Sequence, residues 1–179
     1  RTSGAFFISP PARSGRCGIG SSCWTAACAT VVEDMPDPVN RRASYRCFLA
    51  IPTRWMDNDT YGHVNNVSFY SYFDTAVNEH LIRAGGLDIR AGPEIGLVVE
   101  TSCRFLKPLS FPDVVDAGMR VSKLGNSSVT YEIGLFRQGD DDPAATGRFV
   151  HVWVDRTSRR PIAVPPAIRA ALASLVVAS

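Results

Sequence analysis

Between Val67 and about Ala84 the apolar residues recur at helical spacing, and only strand-like patterns follow until the final dozen or so residues. Tyr70, Phe73, Val77, Leu81 and Ala84 share one helix face, and Phe69, Tyr72, Ala76 and Ile82 widen it. A stripe this broad predicts a helix that is mostly buried, leaving Asp74, Asn78 and Glu79 to solvent or polar contacts. Gly85-Gly86 supplies the left-handed cap that ends it. A first strand is expected over Ser44 to Thr53, where Tyr45, Cys47, Leu49 and Ile51 alternate, ending near Pro52. Four more are expected at Leu97 to Leu106, Val114 to Leu124, Ser128 to Arg137 and Ala145 to Asp155, punctuated by Lys107-Pro108, Gly125-Asn126 and the acidic tip Gly139 to Pro143. Pro166 opens a short terminal helix reaching about Val177. One long helix against a five-stranded antiparallel sheet is an α+β layout. It leaves an edge strand that a dimer extending the sheet would cover.

Composition narrows the classes. The 179 residues are 45% hydrophobic, enough for one domain with a modest core. The net charge is +2 with no basic stripe, which argues against nucleic acid as a partner. The apolar runs are too short to span a bilayer, so no membrane span is expected. The five cysteines (Cys17, Cys23, Cys28, Cys47 and Cys103) are odd in number and form no C-x-x-C pair. Neither a disulfide framework nor a metal site follows from them, and a reducing, cytoplasmic setting is the expectation. Residues 1–34 are rich in Gly, Ser, Pro and Cys, carry Arg1, Arg13 and Arg16, and have no acid before Glu33. They read as a disordered extension of the domain at 35–179. They are either sequence upstream of the true start or a transit peptide, which would move the protein to an organelle matrix.

The chemistry is concentrated between the first strand and the helix. Arg54 to Asn66 packs two carboxylates, an imidazole, a glycine and an Asn pair into a short loop. Asp57-x-Asp59-x-x-Gly62-His63-Val64-Asn65-Asn66, followed by an aromatic-rich helix, resembles the hotdog-fold acyl-CoA thioesterases of the 4-hydroxybenzoyl-CoA thioesterase type. Cys103 to Leu109, Phe111-Pro112-Asp113 and Gly125 to Ser128 resemble that family's strand and turn landmarks, and the similarity runs over about residues 44–165. It implies a hotdog fold, one long central helix wrapped by a five-stranded antiparallel sheet. It further implies a homodimer or homotetramer with the site at a subunit interface, and no metal or cofactor beyond the coenzyme A of the substrate. The family's catalytic carboxylate falls on Asp59, and its carbonyl-polarising amide near Asn66.

Elementary chemistry fits the same residues. Thioester cleavage needs a nucleophile or base, a donor for the developing oxyanion, and a leaving thiol. A carboxylate supplies the first, and the unpaired N–H groups of a helix start supply the second. Gly62 permits a tight turn and close ligand approach. Asn65 is an N-cap candidate. Each residue also has a structural alternative. Asp59 and Asp57 could hold the loop by Asx turns, and His63 could serve a backbone carbonyl rather than orient substrate or water. Asp57, Gly62, Asn65 and Tyr70 are expected around the substrate, with Arg104 and Lys107 near its phosphates; Arg156, Arg159 and Arg160 are further candidates. An acyl-carrier-protein thioester could replace acyl-CoA. Two other readings remain: a hotdog-fold hydratase or dehydratase of acyl thioesters, and a non-catalytic acyl-thioester binding domain. Against the hydratase, His63 lies six positions after Asp57 and four after Asp59, and neither spacing matches that pattern.

Overall fold

A computed structural model describes residues 40–177; the extension at 1–34, with Cys17, Cys23 and Cys28, lies outside the described residues. The element order is β1 (Cys47–Pro52), α1 (Asn66–Arg83), β2 (Glu94–Phe105), β3 (Val114–Leu124), β4 (Ser128–Arg137), β5 (Ala145–Asp155) and α2 (Pro166–Ala173). The five strands form one antiparallel sheet in the order β1-β3-β4-β5-β2. Helix α1 lies across the inner face of that sheet, and this is the hotdog arrangement.

Packing explains the placement. Phe69, Tyr72, Phe73, Ala76, Val77 and Leu81 of α1 are buried against Val129, Tyr131, Ile133 and Leu135 of β4 and Phe149 and Trp153 of β5. Phe73 is fully buried with its ring over Gly147, where a β-carbon would collide with it. The buried stripe is narrower than the sequence implies. Ile82 is 41% exposed and Ala84 is exposed, while Leu81 beside them is fully buried. Gly86, at φ 66°, lets the chain reverse, and the Leu87 N–H bonds back to the Leu81 carbonyl at 3.0 Å.

Strands β3, β4 and β5 have the bounds that the turn residues between them imply, whereas β2 starts three residues earlier than expected, at Glu94. Helix α2 is shorter than expected. It stops at Ala173, and Val176 then pairs alongside Val121 of β3. Strand β2 lies at one border of the sheet, with Leu97, Val98 and Val99 all exposed. No helix among the described residues is long and apolar enough to cross a membrane.

Candidate functional site

After β1, Trp55–Asp57 make one turn of 3-10 helix, and the chain then doubles back on itself. Asn58 and Val64 pair as an antiparallel bridge, the Asp59 N–H donates to the His63 carbonyl at 2.8 Å, and the Gly62 N–H donates to the Asp59 carbonyl at 3.1 Å. Gly62 takes φ 82°, the left-handed conformation that the tight turn needs and that a side chain would resist. The Val64 N–H donates to the Leu109 carbonyl at 2.7 Å, and the Phe111 N–H to Asn58 Oδ1 at 3.0 Å. The loop is therefore clamped to the segment that follows β2.

Asp57 is the anchor of this loop. It is 2% exposed. Its Oδ2 accepts the Arg54 N–H at 2.7 Å and the Tyr72 hydroxyl at 2.8 Å, and its Oδ1 accepts Arg54 Nη2 at 2.8 Å. Its backbone carbonyl accepts the Asn65 N–H at 2.7 Å. Burial works to raise the carboxyl's pKa, but the Arg54 guanidinium and N–H and the Tyr72 hydroxyl outweigh it and hold the group below the usual carboxylate range. The sequence suggests Asp57 as a substrate contact. In the structure its oxygens are engaged by its own chain and it does not line the cleft.

Asn65 caps α1, its Oδ1 accepting the Val67 N–H at 3.0 Å while its carbonyl accepts the Ser68 N–H. The Asn66 N–H, at the very start of the helix, has no hydrogen-bond partner among the described residues. It carries the partial positive charge of a helix start.

Asn66, Asp59 and His63 line an open cleft of about 420 Å³, whose other walls are Val64, Phe69, Phe105, Leu106, Lys107 and Pro108. Asp59 is half-buried, and its Oδ1 accepts the Tyr61 N–H at 2.8 Å in an Asx turn. One Asp59 oxygen thus holds the turn while the residue lines the cleft. His63 is exposed, and the Lys107 ammonium lies 3.7 Å from an Asp142 carboxylate oxygen.

Three expected residues are elsewhere. The Tyr70 ring packs edge-on to Phe73 at 5.9 Å, outside the cleft. Gly62 shapes the turn without lining the cleft. Arg104 belongs to a larger cleft of about 460 Å³ on the outer face of the sheet, beside Arg120, Glu132 and Arg148. Neighbouring residues of a strand point to opposite faces, so Arg104 turns away from the cleft that Phe105 enters. That larger cleft contains neither Asp59 nor a helix terminus. Arg156 donates to the Gly92 and Ile89 carbonyls and braces the loop before β2. Trp55 is 80% exposed, its ring edge-on to that of Phe111. Phe69 and Phe105, edge-to-face at 5.1 Å, are the aromatic walls that sequence reasoning missed. Phe69 was within reach, because it lies one helical turn after Asn66. Among the described residues no three His, Cys, Asp or Glu side chains gather as metal ligands would.

The model of the thioesterase-like superfamily matches residues 53–172, which takes in this loop, α1 and the four strands β2 to β5. The chain belongs to the thioesterase-like superfamily. Among solved structures, this superfamily member is similar to the PA5185 protein of Pseudomonas aeruginosa strain PAO1. That match has 55% identity over 76% of this chain and 95% of the other, with a TM-score of 0.75. It is also similar to a thioesterase of Thermus thermophilus solved with coenzyme A and Zn, at 30% identity over 73% of this chain and 94% of the other, with a TM-score of 0.62. The PA2801 protein of Pseudomonas aeruginosa matches at 32% identity, covering 71% and 98% of the two chains, with a TM-score of 0.67. No curated protein matches.

Proposed function

We propose that the protein hydrolyses acyl-CoA thioesters to a free acid and coenzyme A, with Asp59 as its reactive carboxylate. The observation that carries this reading is the joint placement of Asp59 and the open Asn66 N–H on one cleft walled by Phe69 and Phe105. Membership of the superfamily and the likeness to a thioesterase solved with coenzyme A support it.

The thioester carbonyl oxygen accepts a hydrogen bond from the Asn66 N–H, which strengthens as the oxygen becomes an oxyanion. Asp59 acts in one of two ways. As a base it takes a proton from water while the water oxygen bonds to the carbonyl carbon. As a nucleophile its own oxygen bonds to that carbon, and water later opens the resulting anhydride. Either way the carbon–sulfur bond breaks, the thiolate leaves and takes up a proton, and one water is consumed. His63 orients the substrate or the water at the rim, and Lys107 meets the phosphates of coenzyme A. No metal or organic cofactor enters the scheme. The working unit is a homodimer or a homotetramer.

Release of free thiol from a panel of acyl-CoA substrates is the test. The reading expects thiol release and no hydration of enoyl-CoA. Hydration without thiol release would establish the hydratase reading instead, and binding without either reaction would establish a binding domain.

A further inference from the structure

A third, smaller cavity of about 110 Å³ lies under the far half of α1. Leu81, Leu87, Ile89 and Ile95 make its walls, and His151 and Gly96 line it. His151 is 2% exposed, and its Nδ1 has no hydrogen-bond partner among the described residues, an uncommon state for a buried polar atom. Gly96 presents no side chain there, and a β-carbon at that position would lie 3.1 Å from His151 Nδ1. Asn66 and Asn78 are twelve residues apart on α1, so this cavity is about 18 Å along the helix from the Asp59 cleft of the same copy. The core side chains Phe73 and Val77, both fully buried, fill the space between.

A second copy closes that distance. Among the described residues strand β2 is an edge of twelve residues with no strand on its outer side, and its exposed run Leu97 to Ser102 is centred between Val99 and Glu100. Its pairing with β5 carries a register shift at that same point, between Val98 and Glu100. Residues directly opposite in a ladder share a face. Gly96 and Val98 therefore lie on the inner face, opposite Trp153 and His151, while Thr101, Cys103 and Phe105 lie there opposite Phe149, Gly147 and Ala145. A two-fold antiparallel pairing of β2 with its copy about that centre sets Phe105 opposite Glu94, Cys103 opposite Gly96 and Thr101 opposite Val98. Every inner residue then meets an inner residue. In a strand with unbroken alternation this register would set inner residues against outer ones, so the irregularity at Val99 makes the edge self-complementary. Phe105 lines the Asp59 cleft, and Gly96 of the second copy stands two strand positions further on, about 7 Å away.

Resting on the thioesterase reading above, we infer that the acyl group held at Asp59 of one copy enters the Gly96–His151 cavity of the other. The inferred substrate is a short acyl group carrying a hydroxyl or keto oxygen that His151 binds. The size follows from the cavity, since an engineered cavity of about 150 Å³ takes up one benzene. The polar preference follows from His151 Nδ1, which lacks a partner until the ligand supplies one.

The test uses mixed dimers of the full chain, one copy carrying Asp59→Asn and the other Gly96→Val, which fills the cavity. Each homodimer is expected to be slow on hydroxybutanoyl-CoA. The mixed dimer regains about half the wild-type rate, because one of its two sites joins an intact Asp59 to an open cavity. A purified mixed dimer no faster than the mean of the two homodimers overturns the inference, as does a fully active monomer. Should Gly96→Val fail to assemble, His151→Leu decides. It is expected to lower the preference for hydroxybutanoyl-CoA over butanoyl-CoA about tenfold, the worth of one buried hydrogen bond. An unchanged preference, or dodecanoyl-CoA cleaved as fast as the short substrates, overturns it. Absence of any hydrolysis by the wild type refutes the thioesterase reading instead. The cavity is then judged by whether His151→Leu weakens binding of hydroxybutanoyl-CoA.

Discussion

Tyr72→Phe removes one hydroxyl and leaves the ring packed where it is, 3% exposed and 6.3 Å from the Phe69 ring. The lost contact is a 2.8 Å hydrogen bond to a carboxylate that is itself 2% exposed. Hydrogen bonds to buried charged groups contribute about 1.5–3 kcal/mol, so the variant should lose about 2 kcal/mol of unfolding free energy at neutral pH. Denaturant titration reads this as a lower midpoint with an unchanged slope. The pH dependence gives a second check. The folded-state pKa of Asp57 is depressed, so its stabilisation is present above the ordinary value of 3.8 and is lost as pH falls through the lower folded value. Without the Tyr72 hydroxyl the depression is smaller, so the gap between variant and wild type should be full at neutral pH and should close below about pH 3.8. Activity should fall as well, because the Asp57 carbonyl fixes the Asn65 N–H at the helix start. A variant as stable as the wild type, or a gap that does not change with acid, would show that this network does not anchor the loop.

Asn65→Ala removes the side chain that accepts the Val67 N–H and should cost about 1 kcal/mol in stability. Its kcat should drop more than its KM rises, because a frayed first turn no longer aims the Asn66 amide; Asn65→Asp should restore both. His151 gives a pH signature in stability. Burial lowers its pKa from 6.5 to about 4, so the unfolded chain takes up a proton below pH 6.5 that the folded chain refuses until about 4. Stability therefore falls as pH falls through that window, by about 3 kcal/mol in total. Denaturant titrations of wild type and His151→Leu at pH 7 and pH 4 should differ by this acid-dependent loss, present only in the wild type.

Much of this architecture is written locally. The stretches Val114 to Leu124, Ser128 to Arg137 and Ala145 to Asp155 match β3, β4 and β5 residue for residue, because the turn residues between them, Gly125-Asn126 and Gly139 to Pro143, mark their ends. The loop's cap and turn were legible for the same reason. Asn65 and Gly62 act within a few residues of themselves, through a side-chain bond to Val67 and a positive φ. What could not be read depends on distant partners. Asp57 and Asp59 look alike in sequence, and Tyr72, fifteen residues later, is what separates them by drawing Asp57 into the core. Arg104 looked like a neighbour of Lys107, but it lies inside β2 while Lys107 lies beyond its end, and the pleat turns Arg104 to the outer face. The apolar stripe of α1 is overestimated for a similar reason, since periodicity does not tell which side of the stripe meets a partner: Leu81 is fully buried while Ile82 is 41% exposed.

The central claim is that the Asp59 carboxylate drives thioester cleavage, and Asp59→Asn tests it most directly. The amide keeps an oxygen to accept the Tyr61 N–H, so the Asx turn and the loop should survive. Thiol release at saturating acyl-CoA should then fall by about 10²–10⁴-fold with little change in KM. Hydrolysis at the wild-type rate by a folded Asp59→Asn protein would contradict the account.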